Sequence, residues 1–276
     1  GGGPSRRGSH AAPPCRRGSE APSRRGSSAE RRGSSSLPRS RLEKEVAKVC
    51  DVIKANPGEA WEKRVKGLKD LCALFEHHAE ERDDPTVWTR GVFDAMFHSF
   101  DDGIKDLRSN VTKEVGDCLV CLATSTKDHC GPFLLTLLPS VFLTLNSGVR
   151  VIAEYMYAAF AEVLVHTRVR KGLSAMAKEV GASKSAQLRR TLVLYYSVVL
   201  RHWGKDFLKK EAGLLGGALE KALKDPKPEV KQAAREAFLL FQPMFPSEAA
   251  ALVKKLDKRT KMAIAQEALM KAEASM

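Results

Sequence analysis

GPFLLTLLPSVFLTLNSGVRVIAEYMYAAFAEVLVH, residues 131–166, decides the fold. Two apolar runs, 131–145 and 148–166, flank the short polar elbow Asn146-Ser147-Gly148-Val149-Arg150. Apolar residues return at helical spacing in both runs, so the stretch predicts two helices joined by a turn. A hairpin of this kind buries its apolar face by stacking on like neighbours.

The same pattern extends in both directions. Leu42, Val46, Val49 and Ile53 share one face, Pro57-Gly58 break the chain, and Trp61, Val65, Leu68, Cys72 and Phe75 resume at spacings of three and four. Val87, Trp88, Val92, Phe93, Met96 and Phe97 form the next stripe. Further stripes cover 107–125, 168–181, 184–203, 205–223, 227–242, 246–257 and 259–273. Twelve helices and no strands are predicted. Elbows near Trp61, Leu107, Ser147, Ser185 and Lys227 are 46, 40, 38 and 42 residues apart. That period matches the unit of HEAT-type repeats. The expected fold is all-α, a solenoid of six HEAT-like hairpins at 42–80, 87–125, 131–166, 168–203, 205–242 and 246–273 within a domain spanning 42–276. Every second turn then falls on one edge, in a row spaced by about 10 Å.

The elbows gather cations. The first carries Trp61, Lys63 and Arg64, and the second reads Lys105-Asp106-Leu107-Arg108-Ser109. The third ends on Arg150, and the fourth reads Ser183-Lys184-Ser185 and continues to Arg189-Arg190. The fifth reads Asp225-Pro226-Lys227-Pro228-Glu229-Val230-Lys231. Cations at helix starts oppose the macrodipole, so a cation at each elbow needs a reason beyond helix formation. A Trp flanked by cations suits an interface anchor, although the spacing of Trp61 to Val65 and Leu68 suits a core position equally. Asp106, Ser147 and Ser183 stand where helix N-caps are wanted.

Together these elbows resemble a TOG domain, and among TOG domains those of the CLASP family. The resemblance covers about residues 42–273. It rests first on Trp61-Glu62-Lys63-Arg64-Val65 with Leu68 and Leu71, and on Asp106-Leu107-Arg108-Ser109-Asn110-Val111 with Glu114. It continues through Leu138-Pro139-Ser140-Val141-Phe142 with Asn146-Ser147, and Ser183-Lys184-Ser185 with Arg189-Arg190 and Trp203. The Asp225 elbow with Glu229, Ala234 and Arg235 completes it. Crescerin-type TOG proteins share these motifs and are the near alternative. The resemblance implies a flat, paddle-like solenoid whose intra-repeat turns bind the αβ-tubulin heterodimer or the microtubule lattice. It implies Trp61 as apolar anchor, with Lys63, Arg64, Arg108, Arg150, Lys184, Arg189, Lys227 and Lys231 pairing with acidic tubulin side chains. It further implies a role in microtubule dynamics (stabilisation, catastrophe suppression or rescue) on the cytoskeleton of the cytoplasm, the spindle or the cilium.

Residues 1–41 read differently. They hold ten Arg against two Glu, which is +8 of the net +13 and leaves +5 for the rest. Gly, Ser, Arg, Pro and Ala dominate, and Leu37 is the sole Leu. Such a segment cannot offset its chain entropy by burial, so a disordered basic tail is expected. Four Arg-Arg-Gly-Ser units present Ser9, Ser19, Ser27 and Ser34 as acceptors for a basophilic kinase. Each phosphorylation adds about −1.5 to −2 charges, which describes a charge-tuned tether; a plain linker is the other reading. Ser35-Ser36-Leu37-Pro38 resembles the S-x-I/L-P motif that binds microtubule end-binding proteins. An Arg-Arg-Gly-Ser tail ahead of the domain is not a hallmark of the family.

Other chemistries find little support. No unbroken run of 18 apolar residues predicts a membrane span. The six cysteines lack a secreted disulfide spacing. Cys118, Cys121, His129 and Cys130 have the residue types of a zinc site. Cys118 and Cys121 nevertheless fall three apart in an apolar stripe, where buried thiols are the ordinary outcome, so no metal and no cofactor is expected. Nucleotide-loop and nucleophile-elbow motifs are absent, and the chain does not read as an enzyme. The competing readings are a HEAT-repeat adaptor for peptides and an RNA binder. RNA binding is disfavoured because the Arg-Gly tail has no Phe or Tyr on which bases could stack.

Overall fold

The computed structural model describes residues 40–55 and 60–273. The tail with Ser9, Ser19, Ser27, Ser34 and the Ser35–Pro38 motif, and the Pro57-Gly58 break, lie outside the described residues. Helices α1 (Arg41–Lys54) and α2 (Trp61–His77) form the first hairpin, α3 (Arg90–Ile104) and α4 (Ser109–Thr126) the second. The third pairs α5 (Gly131–Leu145) with α6 (Arg150–His166), and the fourth α7 (Arg170–Ala182) with α8 (Ala186–His202). The fifth opens with the short α9 (Lys205–Leu208) and a 3-10 turn before α10 (Ala212–Leu223) and α11 (Pro228–Met244). The sixth is α12 (Pro246–Lys254) and α13 (Lys258–Glu273).

Six hairpins stack in order, with no strand among the described residues, so the expected solenoid is the observed fold. Leading helices α1, α3, α5, α7, α10 and α12 form one layer, and α2, α4, α6, α8, α11 and α13 the other. One expectation is corrected: 205–223 is not a continuous helix. Gly204 takes φ 71° after α8, a left-handed turn open to glycine. Beyond that turn Phe207 in α9 meets Trp203 edge-on at 5.7 Å, and the 3-10 turn follows at Lys209–Glu211.

Local chemistry starts and orients the helices. Ser40 Oγ accepts the Glu43 amide at 3.1 Å and caps α1, whose buried Leu42, Val46, Cys50 and Ile53 return every three or four residues. Pro228 and Pro246 open α11 and α12, where a missing N–H costs no helical bond. Phe75, Phe100, Phe160, Tyr195, Tyr196, Phe238 and Phe241 are fully buried between the layers. Burial of each such side chain contributes about 1.5–3 kcal/mol. Phe75, Trp88, Phe93, Phe133 and Phe100 follow one another at 5.9, 6.1, 5.8 and 5.6 Å and bind the first three hairpins together. Ser109–Leu145 is long and apolar enough to cross a membrane by composition. It consists of α4, a 3-10 turn and α5, and most of its apolar side chains belong to this core, Leu143 being exposed.

The α4–α6 contact is tightest at Gly116, where an added Cβ would stand 2.8 Å from the Ala159 Cβ. Ala159 has no flexible atoms with which to yield. Gly116→Val is expected to lower the unfolding free energy by about 1–3 kcal/mol in urea denaturation. Gly148→Ala, with open space around it, should stay within about 0.5 kcal/mol of wild type.

Candidate binding edge formed by the elbows

Four elbows share one backbone design. In each, an Asp or Ser side chain accepts the amide two residues on. Asp106 Oδ1 accepts from Arg108 at 2.7 Å, Ser147 Oγ from Val149 at 3.1 Å, Ser183 Oγ from Ser185 at 3.2 Å and Asp225 Oδ1 from Lys227 at 2.9 Å. Short polar side chains favour this local bond. The amide so held belongs to the N-cap of the following helix, extended in all four cases. Asp106, Ser147 and Ser183 therefore stand two residues ahead of the N-cap, not at it. The tip between acceptor and N-cap is Leu107, Gly148, Lys184 or Pro226, each exposed.

Polar ties join each elbow to the next. Arg64 Nη1 meets Asp106 Oδ2 at 2.5 Å, with side chains 11% and 6% exposed. Arg189 forks onto Asp225, Nε to Oδ2 at 2.6 Å and Nη2 to Oδ1 at 3.0 Å, while its Nη1 donates to the Ser183 carbonyl at 2.8 Å. Those side chains are 10% and 5% exposed. The middle elbows use neutral ties: Thr144 Oγ1 donates to the Ile104 carbonyl at 2.8 Å, and Gln187 Nε2 to the Leu145 carbonyl at 3.1 Å. Burial pushes the Asp225 carboxyl up, but the Arg189 and Lys227 hydrogen bonds and the nearby cationic charge outweigh it and hold the group below the usual carboxylate range.

This geometry sorts the nine expected contact residues. Lys63, Arg108, Arg150, Lys184 and Lys227 are exposed, and Trp61 and Lys231 are half-buried. Trp61 rests partly on the core, as its spacing to Val65 and Leu68 allows. Arg64 and Arg189 are buried. Their guanidiniums are committed to Asp106 and Asp225, so the expectation that they meet a partner directly is corrected: they hold the elbows. Arg150 shares its charge with Glu154 at 2.6 Å, and Arg108 lies 3.6 Å from Asp106. Lys63, Lys184 and Lys227 form no ion pair among the described residues.

Two apolar residues on this edge were not singled out from sequence. Leu107 is 81% exposed and Val149 is 46% exposed. The available signal was an apolar residue inside a polar elbow. A sixth elbow at 255–257, between the stripes expected at 246–257 and 259–273, was left out of the row; Lys258, Arg259 and Lys261 follow it. A cavity of about 640 Å³ lies between the fifth and sixth elbows, lined in part by Lys231, Arg235, Asp257 and Arg259.

The cysteines do other work. Cys118 Sγ donates to the Leu68 carbonyl and Cys121 Sγ to that of Cys72, each at 3.5 Å, and His129 pairs with Asp83 at 3.2 Å. Burial pushes the Cys118 and Cys130 thiols up. No three His, Cys, Asp or Glu side chains converge for a metal among the described residues.

Known proteins resemble this chain over the same span. The family model described as CLASP N terminal matches residues 42–265. The Drosophila melanogaster CLIP-associating protein is 24% identical over 219 residues, 78% of this chain and 14% of that protein. The chain thus spans about one-seventh of that relative's length. A solved structure from work on microtubule plus end tracking by XMAP215, CLIP-170 and EB1 superposes with a TM-score of 0.63 at 18% identity, covering 84% of this chain and 93% of its own. The MAST/Orbit N-terminal domain superposes at 0.58 with 14% identity, covering 82% and 96%. These two likenesses are of fold.

Asp225→Asn keeps the shape of the side chain and leaves Arg189 buried without its counter-charge. The expected cost is roughly 3 kcal/mol at pH 7, read from urea unfolding. The Asp225 carboxyl is held below its unfolded value of about 3.9. Its contribution is therefore complete above that value and is lost as pH falls through the lowered folded value. The gap between wild type and variant should close below about pH 4; a gap unchanged from pH 7 to 3 would contradict this role.

Proposed function

The chain belongs to the CLASP N-terminal family, and from that premise we propose that the elbow row binds the αβ-tubulin heterodimer, free or in the lattice. Through that contact it regulates microtubule dynamics, by stabilisation, catastrophe suppression or rescue. One observation carries the reading: uncompensated cations at Lys63, Lys184 and Lys227 flank exposed Leu107 and Val149 along a single edge. A folded partner with an acidic, ridged surface fits that arrangement. Trp61, Leu107 and Val149 serve as apolar anchors, where most binding energy concentrates. Lys63, Arg108, Arg150, Lys184, Lys227 and Lys231 pair with carboxylates; exposed pairs contribute only about 0.2–1 kcal/mol each, so several must act together. Arg64 and Arg189 are positioning residues.

The same proposal divides the chain into a tail, 1–41, and the domain, 42–276. In the tail, Ser9, Ser19, Ser27 and Ser34 tune an electrostatic tether, and Ser35–Pro38 docks microtubule end-binding proteins. The protein then works on the microtubule cytoskeleton of the cytoplasm, including the spindle or cilium.

Size-exclusion co-elution of the full chain with unpolymerised tubulin checks this reading. Wild type should shift the tubulin peak. Trp61→Ala combined with Lys184→Ala should weaken the complex by tenfold or more, with the helical circular dichroism intact. Equal co-elution of the double variant would overturn the elbow assignment and leave tail attraction or a general adaptor role.

A further inference from the structure

The edge opposite the elbows is built from the turns between hairpins. Two of its turns are drawn together around Phe207. The Arg168 and Arg170 guanidinium carbons lie 4.8 and 4.4 Å from the centre of its ring. Arg168 also donates from Nε to Asp128 Oδ2 at 2.7 Å, with its Nη2 on the same carboxylate. Arg170 reaches the Phe207 carbonyl at 3.4 Å and Glu211 at 3.9 Å. Both arginines and both carboxylates are thus engaged with one another.

Around this base stand Lys171, Arg201, Lys205, Lys209 and Lys210, all exposed and in no ion pair among the described residues. Asp206 is the one further acid of the 201–211 segment beside Glu211. The charge is not a general property of this edge. The turn between the first two hairpins carries Glu80, Glu81, Asp83 and Asp84 against Arg82, the opposite sign. Five cations in no ion pair, against the one free acid Asp206, therefore collect where the fourth and fifth hairpins meet.

We propose that this patch is a second binding surface, for an unstructured acidic peptide with several consecutive Glu or Asp residues. Four of the five free cations are lysines, mobile point charges that suit carboxylates without fixed geometry. Phe207, the aromatic ring at the centre of the patch, is covered by guanidiniums, so it is not free to stack a nucleic-acid base. Two neighbouring hairpins present about 20 Å of edge, the length of roughly six extended residues. The surface lies away from the elbows, so both can be occupied at once. The inference does not depend on the elbow reading.

The test uses the full chain with the eight arginines of its Arg-Arg-Gly-Ser units changed to Gln, which removes tail attraction. Fluorescein-labelled decaglutamate is titrated at low salt and followed by anisotropy. Lys171→Gln, Lys205→Gln, Lys209→Gln and Lys210→Gln together should weaken binding by about tenfold or more, with unchanged circular dichroism. Lys63→Gln, Lys184→Gln and Lys227→Gln on the elbow edge should leave it unchanged. Undiminished binding by the four-lysine variant, or an equal loss with the elbow variant, would overturn the proposal. So would tighter binding of a twenty-residue oligothymidine that is lost with the same four lysines, because the patch would then be a phosphate surface.

Discussion

A stack of helical hairpins has no strand ladder to lock one unit against the next. Apolar packing fills the space between the layers but tolerates sliding. At the elbow edge the lock is electrostatic: Arg64 on Asp106, and Arg189 on Asp225. Taking such a pair out of water costs several kcal/mol per ion, so the pairs add little net stability. Their effect lies in the alternative. A slip that separated them would leave a buried charge without its partner, which costs more than any packing gained. Each carboxylate also holds the amide that opens the next helix. The shape of the turn and the stacking of the hairpins are therefore one constraint. The cations and apolar tips of the row stand where they do because of it.

The far edge is locked at the same separation by neutral hydrogen bonds, like those of the middle elbows. Thr167 Oγ1 donates to the Lys127 carbonyl at 3.0 Å, 40 residues away, and Trp203 Nε1 to the Leu164 carbonyl at 2.7 Å, 39 residues away. Lys127 has φ 52°, a conformation that disfavours any residue but glycine. Such a residue costs on the order of 1–3 kcal/mol and persists when its surroundings fix it. Its carbonyl is held by Thr167 and by the Cys130 thiol. The period of about 40 residues seen in the elbows is thus imposed from both sides of the core.

Local features were legible in the sequence. The hairpins follow from helical periodicity, and the elbows from Asp106, Ser147, Ser183 and Asp225, whose side chains bond only two residues ahead. Long-range features were not. Arg64 and Arg189 look like any elbow cation until their carboxylates, 42 and 36 residues on, are seen to bury them. Sequence reports their charge but not whether water reaches it. Leu107 falls at an elbow in the sequence, but apolar spacing cannot tell an exposed tip from a side chain folded onto the core. The break at 209–211 escaped notice because Lys209, Lys210 and Glu211 are all good helix formers, and the turn comes from Gly204 and from Phe207 lying back on Trp203. The sixth elbow has no Pro or Gly to mark it.

Net charge alone would assign the same partner to every basic surface of this chain. The two edges differ in how their cations are held. On the elbow row, Arg108 and Lys227 are N-cap residues whose backbones are fixed by the aspartates behind them, and Lys184 is the tip of an equivalent turn. Their positions are set to within the tolerance of a turn, and apolar Leu107 and Val149 interrupt the charge. Such a surface discriminates by shape, because a partner must place carboxylates and hollows at the spacing of the hairpins. On the far edge the free lysines extend from helix ends with no apolar residue exposed between them except the covered Phe207. A surface of that kind discriminates by charge density and is weakened by salt. On the two proposals made above, shape selection on one edge and charge selection on the other would let a single solenoid engage a folded body and a flexible acidic segment without either contact constraining the other.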